Sequence, residues 1–209
     1  MRVRVKICGI TNYHDAVLAL DLGADALGFN FFQQSPRCLD TAAARDIIRR
    51  LPPLITTVGV FVNVPDPDEA AELARAAGVQ VLQLHGDESA EYCRRLAHFP
   101  VIKAFRIGRA PDLQSLRDFP AQSFLFDARD EQRYGGTGRT FDWLLARPAA
   151  LEFRILVAGG LNPSNVAEMI RDVRPYGVDV CSGVESRPGR KDAAKLAAFM
   201  NEVWNAISE

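Results

Sequence analysis

Four side chains carry the chemistry that this sequence offers most plainly. Cys8, His85, Asp127 and Asp179 each stand at or near the end of a short apolar run: VRVKICG, VQVLQLHG, SFLFDA and GVDVCSG. A thiolate takes a proton from carbon near neutral pH with modest help, and a carboxylic acid whose proton is retained by burial can deliver one. Together these types fit general acid–base catalysis on a small molecule, provided that the fold brings the ends of the four runs to one place. A free cysteine taken alone is more often a small buried hydrophobe. The weight therefore rests on convergence, not on Cys8 by itself.

Two glycine-bearing segments add a second kind of chemistry. AGGLNPSNV (158–166) contains Gly159 and Gly160 and opens a helical pattern, and CSGVES (181–186) contains Ser182 and Gly183. Glycine lets backbone N–H groups approach an anion closely, and a helix N-terminus adds positive potential. Arg37, in FFQQSPRCLD (31–40), offers a planar fork suited to a carboxylate or phosphate, although most such arginines are solvated surface residues. The polar stretch ARDEQRYGGTGRTFDW (128–143), with its three glycines, reads as a mobile lid or binding loop.

What must position these groups is a strand–helix alternation. About eight short β-rich runs recur: VRVKICG, ALGFNF, TTVGVFVN, VQVLQLHG, VIKAFRI, SFLFDA, RILVAGG and GVDVCSG. Between them lie helical patterns with start and stop signals. Examples are NYHDAVLALDLGA with Asn12 as cap and Gly23 as stop, DTAAARDIIRRL from Asp40, and DPDEAAELARAAG ending at Gly78. SAEYCRRLAHF, NPSNVAEMIRDVRP and DAAKLAAFMNEVWNAI follow the same grammar, while PDLQSLRDF and FDWLLA are weaker patterns. Strict alternation implies parallel strands with helical crossovers, and eight units in 209 residues point to a single α/β domain over residues 1–209, a (β/α)8 TIM barrel. The rival, a doubly wound open sheet, lacks the G-x-G-x-x-G expected after its first strand.

In such a barrel the chemistry lies at the C-terminal ends of the strands, and side chains alternate between faces. Val3, Val5 and Ile7 should then meet the helices, with Arg4, Lys6 and Cys8 turned inward. Gln83 shares a face with His85, Leu125 with Asp127, and Asp179 with Cys181. Phosphate commonly binds the loops after strands seven and eight, where the two glycine segments fall.

Composition narrows the partners. The formal net charge is −1, so no strong field favours nucleic acid or an anionic membrane. No apolar run is long enough to span a bilayer, and Arg4 and Lys6 break any signal-peptide pattern, so the expected compartment is the cytoplasm. The four cysteines are scattered without a Cys-x-x-Cys pair, which argues for free thiols and against a metal knuckle. Cys38, Cys93 and Cys181 read as structural.

The motifs KICGIT, GFNFFQQSPR, VGVFVN, LQLHG, FLFDA with GGTGRTFDW, AGGLNPSNV and GVDVCSGVESRPGRKD occur in this order between residues 5 and about 200. In this the chain closely resembles phosphoribosylanthranilate isomerase. The resemblance implies a barrel of the ribulose-phosphate-binding kind. It implies a cofactor-free, metal-free Amadori rearrangement of N-(5-phosphoribosyl)anthranilate to 1-(o-carboxyphenylamino)-1-deoxyribulose 5-phosphate, the third step from chorismate to tryptophan. By the same resemblance, Cys8 is the general base and Asp127 the general acid, and Arg37 is the clamp on the anthranilate carboxylate. Gly159, Gly160, Ser182 and Gly183 form the phosphate cradle, Asp179 contacts sugar hydroxyls, and His85 has a binding role. The partner expected is a small phosphoribosyl molecule, with the protein a monomer or homodimer. The chain departs from the family's pattern at Asn30, Gln34 and Cys38, around the aniline side of the pocket.

Two alternatives stand beside this reading. One is another phosphosugar isomerase on the same barrel, of the histidine-pathway ProFAR isomerase type; that family uses a pair of aspartates, and Cys8 at the first strand counts against it. The other is a non-catalytic phosphoribosyl-binding protein, against which the presence of both Cys8 and Asp127 argues.

Overall fold

A computed structural model describes residues 2–128 and 142–208. Most of the 128–143 segment, read above as a lid or binding loop, thus lies outside the described residues. Eight strands form a closed barrel in chain order: β1 Arg4–Ile7, β2 Ala26–Asn30, β3 Thr56–Phe61, β4 Val81–Leu84, β5 Val101–Ile107, β6 Ser123–Ala128, β7 Ile155–Val157 and β8 Gly177–Val180. Every neighbouring pair is parallel, and β1 closes on β8 with Ile7 opposite Val180. The helices between them are α1 Tyr13–Asp21, α2 Thr41–Ile48, α3 Pro67–Ala77, α4 Ala90–Arg95, α5 Leu113–Asp118, α6 Arg147–Ala150, α7 Val166–Val173 and α8 Ala193–Ser208. No helix among the described residues is long and apolar enough to cross a membrane.

The helix boundaries follow local chemistry. Asn12, Asp40 and Ser89 accept hydrogen bonds from backbone N–H groups of the first turns of α1, α2 and α4, satisfying donors that a helix start leaves orphaned. Gly78 ends α3 in the left-handed conformation. Three elements are shorter than their periodicity suggests. The FDWLLA pattern is a 3-10 turn, Trp143–Ala146, running into the single turn of α6. The SAEYCRRLAHF helix gives way after Arg95 to tighter turns, with Leu96 N–H bonding Cys93 and Phe99 N–H bonding Leu96. In the NPSNVAEMIRDVRP segment, Asn162 and Asn165 spend their side chains on a turn through the Gly160 carbonyl, and regular helix begins only at Val166.

Alternation along the strands separates two cores. Val5, Ile7, Leu27, Phe29, Leu82, Leu84, Phe124 and Phe126 face the helices and belong to one large apolar cluster. Ala104, Leu125, Leu156 and Ala158 form a small cluster inside the barrel. Much of the interior towards the C-terminal ends is polar: Lys6, Gln83, His85, Asp127 and Asp179 are all buried. After β8 comes an element that the sequence reading did not separate, an antiparallel hairpin of β9 Glu185–Arg187 and β10 Arg190–Lys191, turned by Gly189 at a φ of 75°.

Candidate active site

The strand ends open on one cavity at the C-terminal mouth, of about 710 Å³ including space open to solvent. Its walls include Cys8, Arg37, His85, Asp127, Gly159, Gly160, Asp179 and Ser182. The structure therefore gathers eight of the nine residues singled out above. The ninth, Gly183, stands just behind the wall, where a side-chain carbon would overlap the carbonyl oxygen of Leu161. Only glycine permits this close approach of the β8 loop to the β7 loop. Gly159 and Gly160 both adopt positive φ, 81° and 68°, which turns the β7 loop sharply toward α7.

Cys8 follows β1 and is buried at the mouth. Its thiol is held well below the ordinary cysteine range, first by a hydrogen bond with the Cys181 thiol and then, against the opposing effect of burial, by the ammonium groups of Lys6 and Lys191. The Cys181 thiol is pushed up, first by the same hydrogen bond and then by burial. The sequence reading left Cys181 as structural, and the structure corrects this. It lines the same cavity as Cys8, because β1 and β8 are neighbours and Ile7 pairs with Val180 one residue earlier. The space for the Cys8 thiol comes from β2: a side-chain carbon at Gly28 would stand 2.8 Å from Cys8 Sγ and 3.0 Å from Lys6 Nζ.

Inside the barrel, Lys6 Nζ donates to Asp179 Oδ1 at 2.8 Å, and both side chains are buried. Burial raises the Asp179 carboxyl to about 6, against the stabilising ammonium of Lys6. Burial would lower the Lys6 ammonium, but Asp179 and Cys8 more than offset it and keep the amine charged. Across the mouth, His85 Nε2 lies 3.2 Å from Asp127 Oδ2, and the Nδ1 of the same ring lies 2.8 Å from Gln83 Nε2.

Arg37 is neither a free surface residue nor an unattached fork. Its Nε lies 3.0 and 3.2 Å from the two Glu185 carboxylate oxygens, and Nη2 donates to Oε2 at 2.6 Å. This pairing raises the guanidinium's value further above its already high range. Glu185 is held low despite its burial by Arg37 and Lys191. Lys191 Nζ donates to Glu185 Oε1 at 3.1 Å and to the Cys8 carbonyl at 2.6 Å. Sequence reasoning missed Glu185 and Lys191. The only signal for them was their place in the GVESRPGRKD motif. The β9–β10 hairpin brings both beneath Cys8 and Arg37.

A family model for N-(5'phosphoribosyl)anthranilate (PRA) isomerase matches residues 5–202. The chain is 48% identical over 207 residues to the N-(5'-phosphoribosyl)anthranilate isomerase of Pelobacter propionicus, covering 99% of this chain and 98% of that protein. The chain belongs to the N-(5'-phosphoribosyl)anthranilate isomerase family. Among solved structures, the phosphoribosyl anthranilate isomerase of Thermus thermophilus superposes with a TM-score of 0.90 at 40% identity, covering 97% of this chain and 99% of that one. A phosphoribosyl anthranilate isomerase in complex with reduced 1-(o-carboxyphenylamino)-1-deoxyribulose 5-phosphate superposes with a TM-score of 0.84 at 40% identity, covering 97% and 99%. Family membership makes the chain an isomerase of tryptophan biosynthesis, and the barrel described above is the phosphoribosylanthranilate isomerase barrel.

Proposed function

We propose that this chain carries out the Amadori rearrangement of N-(5'-phosphoribosyl)anthranilate with Asp127 as general acid and Cys8 as general base. Asp127 gives its proton to the furanose ring oxygen as the C1–O bond breaks, which leaves an iminium between C1 and the anthranilate nitrogen. The Cys8 thiolate then takes the proton from C2, and the electron pair of that C–H bond neutralises the iminium. The resulting enolamine becomes the ketone by proton transfer. The observation that carries this reading is that Cys8, just after β1, and Asp127, on β6, open onto one cavity from well-separated places in the ring. The Cys8 thiol, held low by Cys181, Lys6 and Lys191, suits the second step.

The binding roles follow from position. The β7 and β8 loops, with Gly159, Gly160, Ser182 and Gly183, take the phosphate. Arg37, anchored through Nε and Nη2 by Glu185, is the partner of the anthranilate carboxylate. Asp179 faces the sugar hydroxyls, and His85, engaged by Gln83 and Asp127, lines the cavity beside them. The product-like ligand of the solved relative is a phosphorylated ribulose bearing a carboxyphenylamino group, which is the ligand class this division of the cavity fits.

The test is a fluorescence assay with freshly generated phosphoribosylanthranilate and the purified chain. Loss of the substrate's fluorescence in proportion to enzyme supports the reading. A well-folded protein that leaves the fluorescence at the uncatalysed rate would overturn it.

A further inference from the structure

We propose that Gln83 is a positioning residue for this chemistry: its side-chain amide selects which nitrogen of His85 carries the proton, and thereby whether His85 donates to Asp127 or accepts from it. The inference rests on the role given to Asp127 above.

Gln83 and His85 lie two residues apart, so their side chains share the inward face of the β4 end. Gln83 is only 1% exposed, and its Nε2 lies 2.8 Å from His85 Nδ1. The other ring nitrogen lies 3.2 Å from Asp127 Oδ2. A continuous path of hydrogen bonds thus runs from Gln83 through the imidazole to the acid. The far end of the same amide, Oε1, is buried and has no hydrogen-bond partner among the described residues. Buried acceptors are rarely left so without a reason.

The chemistry of an amide supplies the reason. One end donates and the other accepts, and the two ends have nearly the same shape. With Nε2 toward the ring, Gln83 donates to Nδ1, the ring proton is on Nε2, and His85 donates to an ionised Asp127. With the amide turned by half a circle, Oε1 accepts from an Nδ1–H, and ring Nε2 accepts from a protonated Asp127. The first arrangement matches Asp127 after it has given up its proton, and the second matches Asp127 before. Each arrangement leaves one end of the amide unpartnered, and each keeps the imidazole neutral. Leucine or methionine would fill the same space without either hydrogen bond, and glutamate would offer acceptors alone.

Charged and thiol groups around this path have partners of their own. Lys6 is committed to Asp179 and Cys8 lies by Cys181, all on β1 and β8 or the residues that follow them. Arg106, opposite Asp127 in the β5–β6 register, is paired with Asp87. From β3 and the residue that follows it, Val60 and Val62 present apolar surface to the cavity.

The experiment uses the full chain with its imidazoles labelled with ¹⁵N, beside the Gln83→Leu and Gln83→Glu variants. The wild-type protein without substrate should show His85 as a single neutral tautomer. In Gln83→Glu, a carboxylate on each side should turn the ring into an imidazolium, moving both nitrogen resonances. In Gln83→Leu the tautomers should mix. Both variants should lose about tenfold or more in kcat, less than the ~10²–10⁴-fold of removing a general acid outright, with KM changed less than twofold. Folded variants with the wild-type His85 spectrum, or with wild-type kcat, would overturn the proposal. If a variant does not fold, the wild-type spectrum decides alone: an even mixture of tautomers, or an imidazolium at pH 7 to 8, overturns it. A wild-type chain that fails to turn over phosphoribosylanthranilate removes the reading of the reaction. The substrate-free spectra still report whether Gln83 governs the ring.

Discussion

A thiol works as a base only when its proton is elsewhere, and a second thiol and two ammonium groups lower the Cys8 thiol in that direction. Alkylation by iodoacetamide should therefore follow a titration with its midpoint below the ordinary cysteine range. The Cys181→Ala variant should move that midpoint up, because the hydrogen bond that contributes most is gone. An unmoved midpoint would show that Cys181 does not tune Cys8. Arg37→Ala should mainly raise KM, since it removes the proposed partner of the anthranilate carboxylate, while kcat changes less; steady-state kinetics with an unchanged KM would remove Arg37 from substrate binding. At this scale the sequence was informative about direction and not about partners. Alternation was enough to turn Cys8, His85, Asp127 and Asp179 inward. It also placed Cys181 with Asp179, but the meeting of Cys181 and Cys8 depends on β1 pairing with β8, a contact between the two ends of the chain.

The elements hold these side chains by leaving space as much as by making contacts. Gly28, in the middle of β2, is the clearest case. A methyl group there would press on Cys8 Sγ, on the Cys8 Cα and on Lys6 Nζ. Gly28→Ala should cost about 1–3 kcal/mol of stability as an overpacked core site, and should lower kcat more than it disturbs Arg37-dependent binding. Thermal unfolding together with kinetics checks both parts, and wild-type kcat in this variant would mean that the thiol has room to spare. The strand-and-helix order was legible because each run carries its own period and its own caps. The β9–β10 hairpin was not. It is short, and its value lies in Glu185 and Lys191, which meet partners far away in sequence: Arg37 is separated from Glu185 by 148 residues and Lys191 from Cys8 by 183. Local patterning carries no trace of such pairings.

For the molecule as a whole, the buried charges set how stability responds to pH. The Asp179 carboxyl titrates at about 6 in the native state against an ordinary 3.8. The native state thus binds this proton more tightly than the unfolded chain. The stability it contributes is fully present below the ordinary value and is lost as pH rises through the native one. Glu185 has the opposite sign: its value is lowered, so its contribution is present above the ordinary 4.5 and is lost as pH falls through its native value. A carboxyl-detected NMR titration should find Asp179 with a midpoint near 6; a midpoint at or below 3.8 would contradict the burial argument. The barrel itself was readable from eight repeats of one pattern, whereas the size of these shifts depends on how water is excluded once the ring closes.

The central claim is that Cys8 and Asp127 carry the two proton transfers. The most direct measurement is kcat for Cys8→Ala and Asp127→Asn in the phosphoribosylanthranilate fluorescence assay, with circular dichroism to confirm the fold. Each variant should fall by about 10²–10⁴-fold or more while remaining folded. Near-normal turnover in either folded variant would contradict the account for that residue.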